Sequence, residues 1–353
     1  MALTHRPFEI FFGTGGVGKT TLATARPVQL AGEGKRVLLM TIDPAKRLKD
    51  LLGLSDAQAG MVVAISRFGD LPPFAAPLDV LLMSAPHTIQ RMAESSGVPE
   101  LARNRIVEVL ARPNGGMNEI LALIELDLRF TAGNYDCVVL DTPPGPHFLD
   151  FLEGLDKIRA FFDARFVEIF ASLGRKVVEV APTKGLAGRL VGKVVGAGVQ
   201  KLLSYLEKVT GAAFVEDFLQ ALQVIYRARG AFLRGLEMEK RLTAKDASHW
   251  FLVTSVEQGK VSEALAIRRD AVALAPQGVT LAVNKCLSPV LADWAPTGDG
   301  ARLKAAWLAK EHALLDGARA GFAGVLAFPE IFTASPLDHV EALAEGWKKH
   351  GND

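Results

Sequence analysis

Short apolar runs recur along the chain, and longer stretches with helical spacing of apolar residues separate them. A short apolar run that ends at a turn residue is typical of a strand buried on both faces. Such runs predict strands at residues 8–12, 36–42, 78–83, 135–140, 250–254, 279–283 and 325–328. Strands that alternate with helices imply a mainly parallel sheet covered on both sides, so we predict a doubly wound α/β fold. The stretch 61–77 is punctuated by glycine and proline and is predicted to be irregular.

Helical patterns dominate two long stretches, at about 85–130 and about 148–245. We therefore expect one domain over residues 1–353 with two helical insertions that form a subdomain. Two apolar stripes at helical spacing run through the second stretch: Phe148, Leu152, Leu155, Ile158, Phe162, Phe166 and Phe170, then Phe214, Phe218, Leu222, Ile225, Phe232 and Leu236. Ordinary packing of helix faces explains both stripes, and the alternative is a groove for a hydrophobic client helix.

A glycine-rich phosphate loop joins the first predicted strand to a helix. It consists of Gly13, Thr14, Gly15, Gly16, Val17, Gly18, Lys19, Thr20 and Thr21. Glycines let the backbone curl so that successive N–H groups face phosphate oxygens, and the helix adds its positive dipole end. Lys19 supplies a charge for the β- and γ-phosphates, and Thr20 offers a hydroxyl to Mg²⁺. A chance glycine turn is the alternative, and the strand–loop–helix context argues against it.

Two aspartates end predicted strands near this loop. Asp141 follows the run 137–140, and ligands of doubly wound sheets gather at the carboxyl ends of the strands, so Asp141 is predicted to hold Mg²⁺ through a water. Asp43 follows the second predicted strand, and we predict that it also reaches Mg²⁺ through a water and orients the attacking water. Both aspartates are otherwise explained as turn residues. Lys19 and Asp43 are thus the predicted catalytic residues.

The segment 283–287 is similar to the start of the N-K-x-D motif with which P-loop GTPases recognise guanine. The position of its aspartate holds Leu287, which accepts no hydrogen bond, and guanine would lose about 1–3 kcal/mol there. We therefore predict ATP as the nucleotide. Asn284 carries a donor and an acceptor on one amide and is predicted to bind the adenine edge, or otherwise to be a turn residue.

Composition and charge narrow the function classes. The formal net charge is +1, which offers no broad basic surface, so we expect no nucleic-acid partner. The first residues lack the order of a secretory signal, and apolar stretches are too short for a membrane span, so we expect a cytoplasmic protein without a membrane segment. The two cysteines, Cys137 and Cys286, form no C-x-x-C pair, which argues against a zinc site made of cysteines.

Together the phosphate loop, the segment 43–45, the Asp141 loop and Asn284 resemble the arsenite-pump ATPase family. That family includes the ATPases that target tail-anchored membrane proteins, and the likeness is strongest to a bacterial branch with single-domain subunits. The resemblance implies hydrolysis of MgATP and rearrangement of a dimer, either a homodimer or a heterodimer with a paralogue. It also implies that Pro329 lines the adenine pocket and that a hydrophobic protein client is handled.

The chain departs from the family pattern at three places. The wider family has a lysine at the second position of the phosphate loop, which reaches the partner's nucleotide, and this chain has Thr14. Its cysteines do not match the arsenite-binding ones, so we predict that it is not an arsenite pump. The zinc-binding C-x-x-C of many targeting ATPases is also missing from the sequence. Three hypotheses remain: an ATP-hydrolysing switch, a nucleotide-gated adaptor that needs a partner subunit to hydrolyse ATP, and, less favoured, a partition-type ATPase.

Overall fold

The computed structural model describes residues 5–42, 46–112, 117–133, 135–161, 205, 207–275 and 277–352. The chain divides into two compact units. The first comprises Met1–Met83, Arg129–Leu152 and Glu239–Asp353, and the second comprises Ser84–Leu128 and Glu153–Met238.

The first unit is built on one sheet of eight strands. Its strands are β1 (Phe8–Gly13), β2 (Val37–Thr41), β3 (Val62–Ile65), β4 (Leu78–Leu82), β5 (Cys137–Asp141), β6 (Ser248–Ser255), β7 (Val279–Cys286) and β8 (Gly324–Pro329). They lie in the order β3-β4-β2-β5-β1-β6-β7-β8 and all pairs are parallel except β3 with β4. The predicted α/β fold is confirmed.

The strand β3 is the one place where the sequence-based prediction of the sheet is wrong. It pairs antiparallel with β4, within the stretch predicted to be irregular. Its four residues are too short a run to show a period, and it lies at the edge of the sheet, where its side chains are only partly buried. By contrast, every residue of β1, β2 and β5 is buried, which is why those strands read as continuous apolar runs.

Twelve α-helices have both ends within the described residues. They are α1 (Lys19–Gly32), α2 (Lys46–Leu52), α3 (Ala85–Ser96), α4 (Arg105–Leu110), α5 (Asn118–Gly133), α6 (Gly145–Phe161), α7 (Ala212–Arg227), α8 (Arg229–Thr243), α9 (Gln258–Leu274), α10 (Ser288–Leu291), α11 (Asp299–Arg319) and α12 (Pro336–Asn352). Two short 3₁₀ segments lie at Asp56–Gln58 and Pro99–Arg103. Among the described residues, no helix is both long enough and apolar enough to cross a membrane.

An aromatic cluster packs α1 and α12 against the sheet. The ring of Trp347 lies 5.7 Å from that of Phe11, 5.2 Å from that of Phe251 and 4.7 Å from that of Phe328. Its indole N–H donates to the carbonyl of Leu22 in α1 at 3.3 Å. Buried aromatic pairs of this kind stabilise a core beyond their area alone, so they fix α1, and with it the loop that opens α1, on the sheet.

A buried ion pair also joins α1 to β1. Arg26 donates from Nε and Nη2 to the two carboxylate oxygens of Glu9, both at 2.8 Å, and from Nη1 to Gln29 at 2.7 Å. The guanidinium lies 5.2 Å from the ring centre of Trp347. Each oxygen of the carboxylate thus has a partner, which a buried charge needs if it is not to destabilise the fold.

The second unit is helical in the part that the structure describes. The carboxylate of Glu125 is buried and accepts from Thr88 Oγ1 at 2.8 Å and from Arg91 Nη2 at 2.6 Å, which ties α3 to α5. In the second predicted stripe, Phe232 and Leu236 are buried, whereas Phe214 is 43% exposed. Phe162, Phe166 and Phe170 of the first stripe lie outside the described residues, so the client groove stays a prediction.

Candidate functional site

The phosphate loop starts where β1 meets its neighbour β6 closely. Gly13 pairs with Val253 in the parallel ladder and has φ 155°. A Cβ at this position would lie 2.3 Å from the carbonyl oxygen of Val253, so no larger residue fits without a shift of backbone. The strand therefore needs glycine here to end against β6 and turn into the loop.

The loop closes at a second required glycine, Gly18. Its φ of 89° is left-handed, and a Cβ would lie 2.3 Å from Nδ2 of Asn284. That amide nitrogen, at the end of β7, donates to the carbonyl of Val17 at 3.0 Å. One hydrogen bond thus joins Val17 to Asn284, which lie 267 positions apart in the sequence, and it holds the far end of the loop against β7.

The helix α1 begins at Lys19, directly after Gly18. No side chain caps its first turn, and no acidic residue lies there. The first backbone N–H groups of a helix have no acceptor within it, and the helix dipole places partial positive charge at the same end. An anion such as a phosphate is therefore the natural complement of this helix end.

Lys19 turns back across the loop to the end of β5. Its Nζ donates to Oδ1 of Asp141 and to the carbonyl oxygen of Thr142. The Lys19 side chain is 13% exposed and that of Asp141 only 1%. Asp141 pairs with Phe11 of β1 and with Thr41 of β2, so the parallel ladder itself brings the carboxylate beside the phosphate loop.

The second carboxylate oxygen of Asp141, Oδ2, is buried and has no hydrogen-bond partner among the described residues. An unsatisfied buried carboxylate oxygen is rare and calls for an explanation such as an ion or water. Oxygen is the ligand that Mg²⁺ prefers, and Thr20 at the start of α1 supplies a hydroxyl of the same chemical kind. The residues present fit a magnesium ion that keeps waters and takes ligands from a bound phosphate.

The loop after Asp141 packs tightly against the phosphate loop. Thr142 donates from its backbone N at 3.1 Å and from Oγ1 at 3.0 Å to the carbonyl of Phe11. A Cβ on Gly145 would lie 3.4 Å from the backbone N of Gly13 and 3.1 Å from Ile267 of α9. The segment 142–145 therefore contacts both Gly13 of the phosphate loop and Lys19, whose Nζ donates to the carbonyl of Thr142.

Comparison with known proteins agrees with this geometry. A protein-family model described as anion-transporting ATPase matches residues 8–213, more than half of the chain. The chain belongs to the anion-transporting ATPase family. Within the family it is similar to an "ATPase get3" of Schizosaccharomyces japonicus, 32% identical over 142 residues, which are 40% of this chain and 41% of that protein.

Two further relatives broaden the comparison. An "ATPase get3" of Schizosaccharomyces pombe is 27% identical over 199 residues, 56% of this chain and 55% of the relative. A "Putative arsenical pump-driving ATPase 1" of Aquifex aeolicus is 26% identical over 149 residues, 40% of this chain and 36% of the relative. The chain thus spans about half or less of the length of these curated relatives.

Most residues predicted for the site meet at the carboxyl ends of β1, β5 and β7. In this member of the anion-transporting ATPase family, the loop from Gly13 to Thr21, Asp141 and Asn284 lie together. Asn284 uses its amide nitrogen to hold Val17, and its Oδ1 is buried without a partner in the described part of the chain, so its binding to adenine stays a prediction. Pro329 ends β8 opposite Cys286. Asp43 lies outside the described residues.

Three features of the site were missed in the sequence. The carbonyl of Thr142 is an acceptor for Lys19, and any residue could supply it, so no side-chain pattern reveals it. Lys285 has φ 63°, a left-handed conformation that is uncommon for lysine. Glu311 of α11 accepts hydrogen bonds from the loop that follows β7. The only signal for Glu311 would have been a carboxylate within an otherwise helical stretch, which is too common to single out.

The two cysteines lie apart, and both are buried. Cys137 begins β5 and Cys286 ends β7, with β1 and β6 between these strands. Burial raises the pKa of the Cys137 thiol well above its ordinary value, and burial raises the pKa of Cys286 to about 12. Soft metal ions bind thiolates that converge, and these two thiols lie on strands that are separated by β1 and β6.

Proposed function

We propose that this chain binds and hydrolyses MgATP and uses the cycle as a conformational switch. The observation that carries the proposal is the contact of Lys19 with Asp141 and Thr142 beside an uncapped helix end. In this contact the cation of a phosphate loop lies beside a carboxylate whose second oxygen has no partner among the described residues. Family membership supports an ATPase.

Each residue takes a role that its chemistry allows. Lys19 binds the β- and γ-phosphates, together with the N–H groups of the loop from Gly13 to Thr21. Thr20 and Asp141 hold Mg²⁺, which neutralises the charge that develops on the transferred phosphoryl group. Asp43 orients the attacking water and contacts Mg²⁺ through a water. Asn284 and Pro329 bind adenine.

The switch follows from competition for Lys19. In the structure, its Nζ donates hydrogen bonds to a carboxylate oxygen of Asp141 and to the carbonyl oxygen of Thr142. A bound triphosphate offers more negative charge at the same place, so Lys19 leaves Thr142 and Asp141 for the phosphate. This change frees the segment 142–145, which packs on Gly13 and Ile267, to rearrange on binding and again on hydrolysis.

The finer parts of the proposal concern partners. We propose that the rearrangement acts on a dimer, either of this chain or with a paralogue, and that a hydrophobic protein client is handled. The chain is not an arsenite pump on this proposal, since its thiols are buried and apart. Thr14 stands where the wider family has a lysine, is 6% exposed and supplies no cation for a partner's nucleotide. A nucleotide-gated adaptor that hydrolyses ATP only with a partner subunit is therefore the second candidate.

One experiment separates the two candidates. The rate of ATP hydrolysis is measured over a series of protein concentrations, and the mass in solution is measured with and without MgATP. Turnover per chain that rises with concentration, together with a dimer formed on MgATP, supports the homodimeric switch. Tight binding of ATP to a monomer without turnover supports the adaptor. A purified protein that binds no ATP overturns both.

A variant tests the role of Asp43. Asp43→Asn keeps the size of the side chain and removes its charge, so ATP binding is expected to persist while turnover falls by about 100-fold or more, the scale of a lost general base. The measurements are the Kd for ATP and kcat at saturating MgATP. Turnover like that of the wild type would contradict the role.

A further inference from the structure

The loop after β7 is held by a single buried carboxylate from a distant helix. Glu311 of α11 is 4% exposed. It accepts from the backbone N of Leu287 to Oε2 at 2.5 Å and from the backbone N of Ser288 to Oε1 at 3.1 Å. The hydroxyl of Ser288 also donates to Oε1. Three polar hydrogens of Leu287 and Ser288 thus converge on one side chain.

The backbone just before these hydrogen bonds is strained. Lys285 has φ 63°, and it is the one residue other than glycine with positive φ in the described part of the chain. A left-handed conformation is unfavourable for a residue with a side chain, and it persists only where the surroundings enforce it. The pairing of β7 with β8 breaks its register between Val283 and Cys286, so Lys285 lies between two paired residues without a partner of its own in β8. The hydrogen bonds to Glu311 fix the chain two residues further on, at Leu287 and Ser288.

The strained residue directly follows Asn284. Asn284 donates to the carbonyl of Val17 in the phosphate loop, and its Nδ2 lies against Gly18. On the other side of the turn, the backbone N of Glu330, next to Pro329, donates to the carbonyl of Cys286 at 2.9 Å. The turn 284–288 therefore joins the phosphate loop to the end of β8, the two places to which the nucleotide is assigned.

We propose that Glu311 is a positioning residue for recognition of the nucleotide base. It holds the turn 285–288 in its left-handed form and thereby sets the place of Asn284 and the end of β8, without touching the nucleotide itself. The inference rests on the proposed function, because it assigns the base to Asn284. It goes further by naming a residue on another element that determines which base is preferred.

The carboxylate is needed for this task because of its two acceptor oxygens. A glutamate offers only acceptors, and here it takes three hydrogens. In Glu311→Gln one oxygen becomes an amino group, so at least one backbone N–H of the turn faces a donor and loses its partner. An unpaired buried N–H is unfavourable, and the turn is expected to shift to relieve it.

The test compares Glu311→Gln with Asp316→Asn, an equal chemical change on the same helix. The carboxylate of Asp316 is exposed and, among the described residues, pairs only with Arg319. The Kd values for ATP, GTP and inorganic tripolyphosphate are measured. For Glu311→Gln the Kd for ATP is expected to rise about tenfold, the scale of a lost charged hydrogen bond, with that for tripolyphosphate nearly unchanged. The preference for ATP over GTP falls accordingly. Asp316→Asn should match the wild type.

Two outcomes overturn the inference. One is an unchanged ratio of the Kd values for ATP and GTP in Glu311→Gln. The other is an equal loss for ATP and tripolyphosphate, which would place the effect on the phosphate loop. Failure of the wild type to bind ATP is a different result and overturns the proposed function itself. If Glu311→Gln does not fold, Ser288→Ala removes one hydrogen bond of the three and carries the same comparison of ligands.

A second variant separates positioning from simple loss of structure. Lys285→Gly removes the conformational strain at φ 63°, so the turn needs less support from Glu311. In the double variant with Glu311→Gln, the preference for ATP is expected to recover at least in part, beyond the effect of Lys285→Gly alone. Additive losses in the double variant would contradict the assigned link between Glu311 and the left-handed turn.

Discussion

Two buried ion pairs lie in the described part of the first unit, and they differ in how many of their polar atoms have hydrogen-bond partners. The carboxylate of Glu9 has both oxygens bonded to Arg26, and Arg26 also bonds Gln29 and lies over Trp347. Asp141 has one oxygen bonded to Lys19, and its second oxygen has no partner in the described residues. Both carboxylates are almost fully buried. Burial alone therefore does not distinguish a structural pair from a functional one.

The difference shows that the informative property of a buried ion pair is whether all of its polar atoms have hydrogen-bond partners. A buried pair with all its hydrogen bonds made has nothing further to bind, and it is retained for the fold. A pair that leaves an oxygen unsatisfied is costly until a ligand supplies the missing interaction. We therefore propose that Glu9 and Arg26 serve stability and that Lys19 and Asp141 serve nucleotide binding, and each proposal can be tested by itself.

The largest expected effect is on stability, from Arg26→Met. Methionine keeps much of the apolar volume but leaves the carboxylate of Glu9 buried without its cation, so the free energy of unfolding is expected to fall by about 3–5 kcal/mol. Denaturant unfolding measures it. The double variant Glu9→Gln with Arg26→Met removes the stranded charge and should recover part of the loss. A single variant as stable as the wild type would show that this pair does not support the fold.

The next largest effect is on binding, from Lys19→Ala. The variant removes the cation that the phosphates need, and the Kd for MgATP is expected to rise by about 100-fold, the scale of charged hydrogen bonds lost at a site. Lys260→Ala, which breaks an exposed pair with Glu263, is the matched control and should bind like the wild type. If Lys19→Ala binds ATP normally, the phosphate site lies elsewhere.

Asp141→Asn is expected to act on the metal more than on the nucleotide. The amide keeps the size of the side chain but is a poor ligand for Mg²⁺, so Mg²⁺ should no longer tighten ATP binding, and kcat should fall by about tenfold or more. Binding of ATP without Mg²⁺ should persist, because Lys19 is then free of its carboxylate partner. Measurement of the Kd for ATP with and without Mg²⁺ tests whether Asp141 acts on the metal. An undiminished effect of Mg²⁺ would remove Asp141 from the metal site.

The phosphate side of the site could be predicted from the sequence because its determinants are local. Gly13, Gly18 and Lys19 are required at fixed spacing by the backbone of one loop, and the strand before it and the helix after it show in the pattern of apolar residues. Asp141 could be found because parallel strands bring their carboxyl ends together. The order of the strands and their pairing follow from tertiary packing and had to come from the structure.

The side of the site proposed for the nucleotide base could be predicted only in part, because the residues that shape it lie far apart in the sequence. Asn284 stands out next to a strand, yet its contact with Val17 spans most of the chain. Glu311 lies 24 residues beyond Leu287 on a helix rich in charges, and nothing in its neighbours marks it as the acceptor for a turn. The left-handed Lys285 is equally hidden, since turn chemistry favours glycine or asparagine at such a position. The short edge strand β3 was missed for want of a period.

A last expected effect uses the two cysteines as probes of two regions. Cys137 lies near the Glu9–Arg26 pair, and Cys286 lies on the turn held by Glu311. Both thiols are buried with raised pKa, so at pH 8 they are neutral and should react slowly with a thiol reagent until the region opens. The pKa of each thiol is higher in the folded chain than in the unfolded chain, so the neutral thiols favour folding below pH 9. This contribution is lost as the pH rises toward about 12.

Nucleotide should then protect the two thiols differently. At an ATP concentration of about 100 times its Kd, openings that abolish binding become about 100-fold rarer, so Cys286 should react that much more slowly in the Cys137→Ser variant. The reaction rate of Cys137 is measured in the Cys286→Ser variant. ATP should slow that reaction only if the thiol of Cys137 becomes exposed through the same opening that abolishes ATP binding. Equal protection of both would mean that the region of the Glu9–Arg26 pair and the turn held by Glu311 open as one cooperative unit. The contrast between a structural pair and the nucleotide site would then hold for their chemistry but not for their dynamics.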